Sequence, residues 1–138
     1  MMGRLRESAA TVGFYGDDLD PHEITGLLGM EPTIGVAKGG RWATSPGAEK
    51  IAHTGSWRLK ANRCEPENLS RQIDELLASL TKDLGVWRDL NARFRGVLFC
   101  GLWLNSYNDG LEIEPKVLGA IAERGLALDL DIYESSID

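Results

Sequence analysis

The densest group of side chains that could do chemistry lies at positions 17–23, in the stretch DDLDPHE. Carboxylates and an imidazole at this spacing could bind a divalent metal or transfer protons. The same residues also form a helix start, with Asp20 as N-cap, Pro21 at the first helical position and Glu23 completing a capping box. Because the cap turns Asp20 towards its own backbone, the pattern favours the helix start, and we predict no metal or cofactor.

Asp129 and Asp131 form a second candidate pair, two positions apart in the stretch LALDLDIY. On a strand their side chains share a face, and two close carboxylates raise the pKa of one of them, as acid–base catalysis requires. The alternative is structural: they pair with Arg58 or Lys60 across a sheet, or keep an edge strand soluble. We favour the structural interpretation and assign no catalytic residue.

Residues 31–56 are the least regular part of the chain and are rich in glycine and turn-forming residues. The stretch KGGR within them lacks the spacing and the strand-to-helix context of a phosphate-binding loop. Long loops in small domains often carry function. Lys38, Arg41 and His53 are therefore candidates for binding a small ligand in a cleft between this loop and the sheet.

Composition and charge limit the classes of function. A chain of 138 residues with 43% hydrophobic and 26% charged residues is typical of one folded domain, here 1–138 with a flexible N-terminus over 1–10. The net charge of −6 argues against nucleic-acid binding, which needs clustered basic side chains, but suits a basic protein partner.

The absence of targeting and membrane-spanning segments and the small number of cysteines indicate where the protein is located and whether its thiols are reduced. We find neither an apolar signal segment nor a run long enough to span a membrane. Cys64 and Cys100 are the only cysteines. The sequence predicts a cytoplasmic protein with reduced thiols, and a disulfide between the two cysteines is the open alternative.

Hydrophobic periodicity predicts strands that alternate with helices started by proline. The predicted strands are 11–16, 56–61, 96–104 and 126–133, and the predicted helices begin near Pro21, Pro66 and Pro115. The helix from 65 to 94 carries one leucine-rich stripe and either continues past Gly85 or bends there. Strand 96–104 is apolar on both faces and is expected in the middle of the sheet, covered on both sides.

This order of elements predicts an α+β domain with a largely antiparallel sheet and helices on one face. Ferredoxin-like is the nearest architecture, with a weak internal duplication. Seven side chains are expected on the other face: Arg58, Lys60, Phe99, Trp103, Asp129, Asp131 and Tyr133. Aromatic and charged residues together are typical of binding surfaces. Three interpretations are open: the 31–56 loop covers this face, two copies pack on it, or it binds a partner protein or small ligand.

Several stretches, taken in order, resemble a bacterial family of unknown function numbered 4279. They are DDLDPHEIT, LLGMEPT, the loop around KGG, GSW, DELLASL and the terminal LDIY. The resemblance covers Thr11 to Tyr133 and implies an α+β sandwich of small bacterial cytosolic proteins, with no established activity and no functional residues to carry over. Immunity against bacterial toxins has been suggested for some members.

We therefore expect a non-enzymatic protein-binding domain. On the resemblance it would be of immunity type, with a basic toxin as partner, or it would associate with itself. The alternative is a small-ligand-binding domain or small enzyme that uses the cleft beside the 31–56 loop.

Overall fold

A computed structural model describes residues 4–43 and 47–135 and shows an α+β fold. Residues 1–3 of the expected flexible N-terminus and 44–46 of the expected loop lie outside this range. The elements in chain order are β1 (Glu7–Gly16), α1 (Pro21–Leu28), β2 (Ile34–Val36), β3 (Arg41–Ala43), β4 (Glu49–Ile51), β5 (Gly55–Lys60), α2 (Leu69–Ala78), α3 (Leu84–Arg93), β6 (Arg95–Trp103), α4 (Pro115–Glu123) and β7 (Ala127–Tyr133).

Five of the strands form one sheet in the order β2-β5-β1-β6-β7, and β3 and β4 form a separate hairpin. All pairs are antiparallel except β6 and β7, which run parallel and are joined through α4. The predicted α+β class and the largely antiparallel sheet are confirmed. The ferredoxin-like arrangement and the internal duplication are finer predictions that this topology does not establish.

The core lies between the helices and one face of the sheet. On that face Val12 of β1 is paired with Leu59 of β5 and Leu98 of β6, and Phe14 is paired with Trp57. Apolar side chains of all four described helices pack on this layer in one continuous cluster. Burying each large apolar side chain stabilises the fold by about 1.5–3 kcal/mol, which is why strand alternation and helix stripes decide the layering.

The long helix predicted for 65–94 is two helices, α2 and α3, separated at 79–83. The cause is local capping. The Asp83 carboxylate accepts a hydrogen bond of 2.9 Å from the backbone N–H of Gly85 and so starts a new helix. The Trp87 indole donates to the carbonyl of Thr81 at 2.8 Å, which holds the break against α3. Gly85 therefore lies in the first turn of α3 and not at a bend.

Two boundaries of irregular segments were predicted wrongly. β1 begins at Glu7, not at Thr11, because β6 pairs with it as far as Trp103 opposite Glu7. The 31–56 segment contains three short strands, since β2 pairs with β5 and β3 pairs with β4. β1 and β2 gain their order from pairing with strands far away in the chain, which local sequence does not encode, whereas β3 and β4 form a local hairpin.

Strand β6 is adjacent to the edge of the sheet, not in its middle, and only its helix-side face is fully covered. The strand at that edge is β7, which carries Leu130 and Ile132. They face the helix side but remain 44% and 58% exposed. α4 packs against β7, but none of the described helices fully covers Leu130 and Ile132.

Candidate binding groove on the open sheet face

The face of the sheet opposite the helices, here the open face, carries a groove of aromatic and basic side chains. Pairing places Lys60, Thr11, Phe99 and Asp129 in one row across four strands. A cavity of about 420 Å³ lies on this face; its larger lining side chains are Tyr15, Arg58, Lys60, Arg63, Phe99, Trp103 and Tyr133. Four strands bring these side chains together, so the groove depends on the whole sheet.

One end of the groove is a fixed aromatic cluster. The Trp103 and Tyr133 rings are stacked, with centroids 4.8 Å apart and planes 13° apart. The Arg63 guanidinium lies 4.3 Å from the centroid of the Trp103 ring and also forms an ion pair with Glu7. The Tyr133 hydroxyl donates a 2.6 Å hydrogen bond to Asp131, and this bond raises the pKa of Tyr133. These contacts hold a flat aromatic wall at the β7 side of the groove.

Two glycines let aromatic rings lie flat on the sheet. A Cβ atom at Gly13 would lie 2.6 Å from the Tyr15 hydroxyl oxygen, and one at Gly101 would lie 3.0 Å from the Trp103 ring. Each ring therefore extends back along its own strand over the glycine two positions earlier. The sequence signal is Gly-x-aromatic, found as GFY at 13–15 and GLW at 101–103.

The other end of the groove lies under the β3–β4 hairpin. A cavity of about 760 Å³ separates the hairpin from the sheet, and Trp42, His53, Tyr15 and Arg58 are among the residues that line it. Tyr15 and Arg58 also line the first cavity, so the two form one continuous groove.

Arg58 occupies the junction of the two cavities. Its guanidinium lies 5.0 Å from the centroid of the Trp42 ring and donates to the Ser56 hydroxyl at 3.4 Å. Its Nε is buried and has no hydrogen-bond partner among the described residues. A buried donor without a partner costs about 1–3 kcal/mol, and an acceptor on a bound molecule would recover it.

Two basic side chains of the groove are not neutralised by ion pairs within the described residues. Within the described part of the chain, neither Arg58 nor Lys60 has a carboxylate at ion-pair distance, unlike Arg63 and Arg93, which pair with Glu7 and Glu23. The chain as a whole carries a net charge of −6. The groove is thus a local basic site on an acidic protein, and it suits an acidic group.

The structure brings together five of the seven predicted open-face residues: Arg58, Lys60, Phe99, Trp103 and Tyr133 line the same cavity. Asp129 and Asp131 share the face but lie on the edge strand β7. Because β1 and β6 lie between β5 and β7, the distance between β5 and β7 is about 14 Å, and the ion pairs predicted with Arg58 or Lys60 do not form. The ion-pair alternative was wrong because the strand order was unknown, whereas the other alternative, acidic residues on an edge strand, agrees with the position of β7.

The three loop candidates do not converge. His53 lines the hairpin cavity. Lys38 pairs with Asp17 at 3.2 Å, and Arg41 pairs with Glu49 at 3.4 Å across the hairpin. Sequence reasoning missed Tyr15, Trp42 and Arg63. The Gly-x-aromatic pattern could have identified Tyr15, whereas Trp42 lies on the short strand β3, which was not predicted, and Arg63 lies in an irregular segment after β5.

The acidic stretch at 17–23 is a helix start. The Asp20 carboxylate accepts a 3.0 Å hydrogen bond from the backbone N–H of His22, and α1 ends at Gly29 with φ of 80°. The predicted reciprocal half of the capping box is wrong, because the Glu23 carboxylate binds Arg93 at 2.6 Å. No three His, Cys, Asp or Glu side chains cluster as metal ligands within the described ranges.

Both cysteines are free thiols. Cys100 lies on the helix side of β6, where burial raises its pKa to about 12 and the nearby charge of Asp129 adds to the shift. The thiol therefore stays protonated, and thiols in this state are poor nucleophiles.

None of the helices that the structure describes is long and apolar enough to cross a membrane. A search of curated proteins and a search of solved structures each found no match. Residues 6–135 match the sequence profile of a family described as a domain of unknown function, DUF4279. The match covers nearly the whole chain, and the protein therefore belongs to the DUF4279 family.

Proposed function

We propose that this chain is a non-enzymatic binding domain that holds an acidic, extended segment of a partner protein in the open-face groove. The observation that carries the proposal is Arg58, which has no carboxylate partner among the described residues and lies at the centre of a continuous aromatic groove. Aromatic and arginine side chains together are the residues that most often anchor protein interfaces. A cytoplasmic location, as expected from the sequence, belongs to the same proposal.

The shape of the groove favours a chain segment as its occupant. The groove crosses the sheet from the hairpin over β5 and β1 to the Trp103–Tyr133 stack near β7. Successive strands are about 4.8 Å apart, so the floor extends over roughly 15–20 Å, the length of five or six extended residues. Apolar side chains of a partner would lie on Phe99 and Trp103, and a carboxylate would reach Arg58 or Lys60.

An immunity-type role remains a hypothesis within this proposal. The overall charge of −6 attracts a basic toxin at long range. The groove itself suits an acidic segment of the partner, since the cations at its centre are not neutralised. The proposal therefore specifies the charge of the contacted segment and leaves the net charge of the partner open.

The test compares two libraries of short synthetic peptides, one rich in Asp and Glu and one rich in Lys and Arg, each with apolar residues between. We expect the protein to retain acidic peptides preferentially. Lys60→Glu should weaken that binding about tenfold, because one attractive charge becomes repulsive. Lys82→Glu is the matched control, since Lys82 is an exposed residue between α2 and α3 and its substitution makes the same change in net charge.

Three outcomes would count against the proposal. Acidic and basic peptides retained equally would remove the charge argument. Equal effects of Lys60→Glu and Lys82→Glu would show that only net charge matters. A mass that doubles with concentration in sedimentation, and falls back in Trp103→Ala, would instead assign the groove to a second copy of the chain.

A second candidate function has its own observation in its favour. The 760 Å³ cavity under the hairpin falls within the about 300–1,000 Å³ range of small-molecule sites, and the unpartnered Nε of Arg58 borders it. A small anion with an aromatic ring fits this end. In a thermal-shift screen of aromatic carboxylates, a ligand at 100 times its Kd adds about 2.7 kcal/mol to stability. Trp42→Ala should abolish such a shift and Trp103→Ala should not.

A further inference from the structure

The outer edge of β7 is a second surface that the fold leaves open. Within the described residues β7 pairs with β6 alone, so its other edge presents backbone N–H and C=O groups that no strand meets. β7 has seven residues, which at about 3.3 Å per residue is roughly 23 Å of strand. That length exceeds the short edges by which sheets usually avoid pairing with other chains.

The two faces of β7 have opposite characters. On the helix side Leu130 and Ile132 are 44% and 58% exposed, whereas their partners in β6, Cys100 and Leu102, are 0% and 4% exposed. Leu118, on the helix that packs against β7, is also exposed. The open-face side of the same strand carries Asp129 and Asp131. Along the edge, apolar and acidic side chains therefore alternate.

Charge disfavours one way in which a second copy of the chain could occupy this edge. If two copies paired through β7 in antiparallel fashion about Leu130, Asp129 of one copy would lie directly opposite Asp131 of the other. Like charges directly opposite each other destabilise a strand pair. The acidic residues thus oppose self-pairing, and they leave the apolar side available to a strand of another composition.

We propose that β7 accepts an extended strand of a partner protein in which basic residues alternate with apolar ones. Lys or Arg side chains of that strand would lie opposite Asp129 and Asp131, and its apolar side chains would cover Leu130 and Ile132. Main-chain hydrogen bonds along the free edge would supply affinity, and the alternating side chains would supply specificity. Asp131 accepts the Tyr133 hydroxyl through Oδ2, which leaves Oδ1 for such a contact.

This surface meets the open-face groove at Tyr133, but its apolar and acidic side chains lie outside the groove lining and it has the opposite charge preference. The two proposals can therefore fail separately, and variants of one site serve as controls for the other. Lys60→Glu alters the groove, which lies toward β5 and β1, and leaves β7 unchanged.

The experiment follows the backbone amides of the full chain by NMR while three seven-residue peptides are added. The first alternates Lys with Val, the second alternates Glu with Val, and the third is the first with Pro at alternate positions. We expect the Lys peptide to shift β7 amides and to slow hydrogen exchange at Leu128, Leu130 and Ile132. The Glu and Pro peptides should do neither.

Reversing the edge charge sharpens the test. Asp129→Lys with Asp131→Lys should weaken binding of the Lys peptide at the β7 amides about tenfold and make the Glu peptide the better ligand of this edge. Lys60→Glu should leave the response of the β7 amides to both peptides unchanged, although it weakens binding of the Glu peptide in the groove. A thermal melt checks the fold of the double variant, and Asp129→Lys alone, with an intermediate change expected, replaces it if the double variant unfolds.

The proposal is overturned if neither charged peptide shifts the β7 amides at millimolar concentration, or if both shift these amides equally. It is also overturned if the Lys peptide shifts residues of the groove instead of β7, because its binding site would then lie elsewhere. Failure here would leave the groove proposal intact, since that proposal rests on acidic peptides and on Lys60.

Discussion

The Trp103 ring lies on the Tyr133 ring at a centroid distance of 4.8 Å, and these two residues are direct partners in the parallel pairing of β6 with β7. The stack joins the groove to the edge strand, because both rings line the groove and Tyr133 belongs to β7. Gly101 permits this geometry, since any side chain there would meet the Trp103 ring. The effects of substitutions at these residues on the free energy of unfolding should therefore not be additive.

Coupling between Gly101 and Trp103 is the first prediction. Gly101→Ala places a methyl group 3.0 Å from the Trp103 ring and should lower the free energy of unfolding by about 1 kcal/mol. In a Trp103→Ala background the same change should cost much less, because the ring it displaces is gone. Urea unfolding of the two single variants and the double variant gives this difference directly. Strict additivity would mean that the ring does not depend on the glycine.

Trp103→Ala should itself cost about 1–2 kcal/mol, from the lost stack on Tyr133 and the lost cation–π contact with Arg63. Trp103→Phe keeps an aromatic face and should recover most of that loss. Equilibrium unfolding in urea measures both variants. Equal destabilisation by Ala and Phe would show that the stack contributes nothing and that only the size of the indole matters.

Capping at Asp83 gives a prediction about the helix break. Asp83→Ala removes the acceptor for the Gly85 N–H and should lower stability by about 1 kcal/mol, whereas Asp83→Asn should retain most of it. Thermal unfolding followed by circular dichroism compares the two. An unchanged midpoint in Asp83→Ala would mean that the break between α2 and α3 is fixed by packing around Trp87 and not by the cap.

The same break illustrates what the sequence could and could not predict. Strand alternation placed Phe99, Trp103, Arg58 and Lys60 on one face because side-chain direction in a strand is local. The break at Asp83 was missed because a continuous leucine stripe satisfies one helix as well as two. Packing of the Trp87 indole against Thr81 decides between them, and it depends on the folded arrangement.

The order of the strands in the sheet was the most important feature that could not be predicted from the sequence. The exposure of Leu130 and the separation of Asp129 from Lys60 both follow from β7 lying at the edge, with β6 and β1 between it and β5. Pairing partners far apart in the chain fix that order, and a single sequence carries no direct signal for them. Arg63 was missed as a groove residue for a related reason, since it follows the end of β5 in an irregular segment.

Thiol reactivity should distinguish the two cysteines. Burial raises the pKa of Cys100 from 9.0 to about 12, so the native protein should expose one reactive thiol, that of Cys64. Because the pKa of Cys100 is higher in the folded than in the unfolded protein, the buried Cys100 thiol contributes stability that is complete below pH 9 and is lost as the pH rises towards 12. Titration with a chromogenic disulfide should count one thiol in buffer and two in denaturant. Two fast native thiols would contradict the burial of Cys100, and Cys64→Ser is the control that removes the reactive one.

Ionisation of the Tyr133 hydroxyl tests its hydrogen bond to Asp131 on β7. The hydrogen bond to Asp131 raises the pKa of Tyr133 above its ordinary value of 10.0. Since the folded pKa is raised, the contact stabilises the native state fully below pH 10 and loses its effect as the pH rises through the folded pKa.

The difference between the ultraviolet titrations of wild type and Tyr133→Phe isolates this one hydroxyl from those of Tyr15 and Tyr107. We expect a midpoint above the ordinary range in wild type and a lower one in Asp131→Asn, which keeps the size of the side chain and removes its charge. If Asp131→Asn left the midpoint unchanged, the acid would not hold the hydroxyl, and both oxygens of Asp131 would be available at the edge of β7.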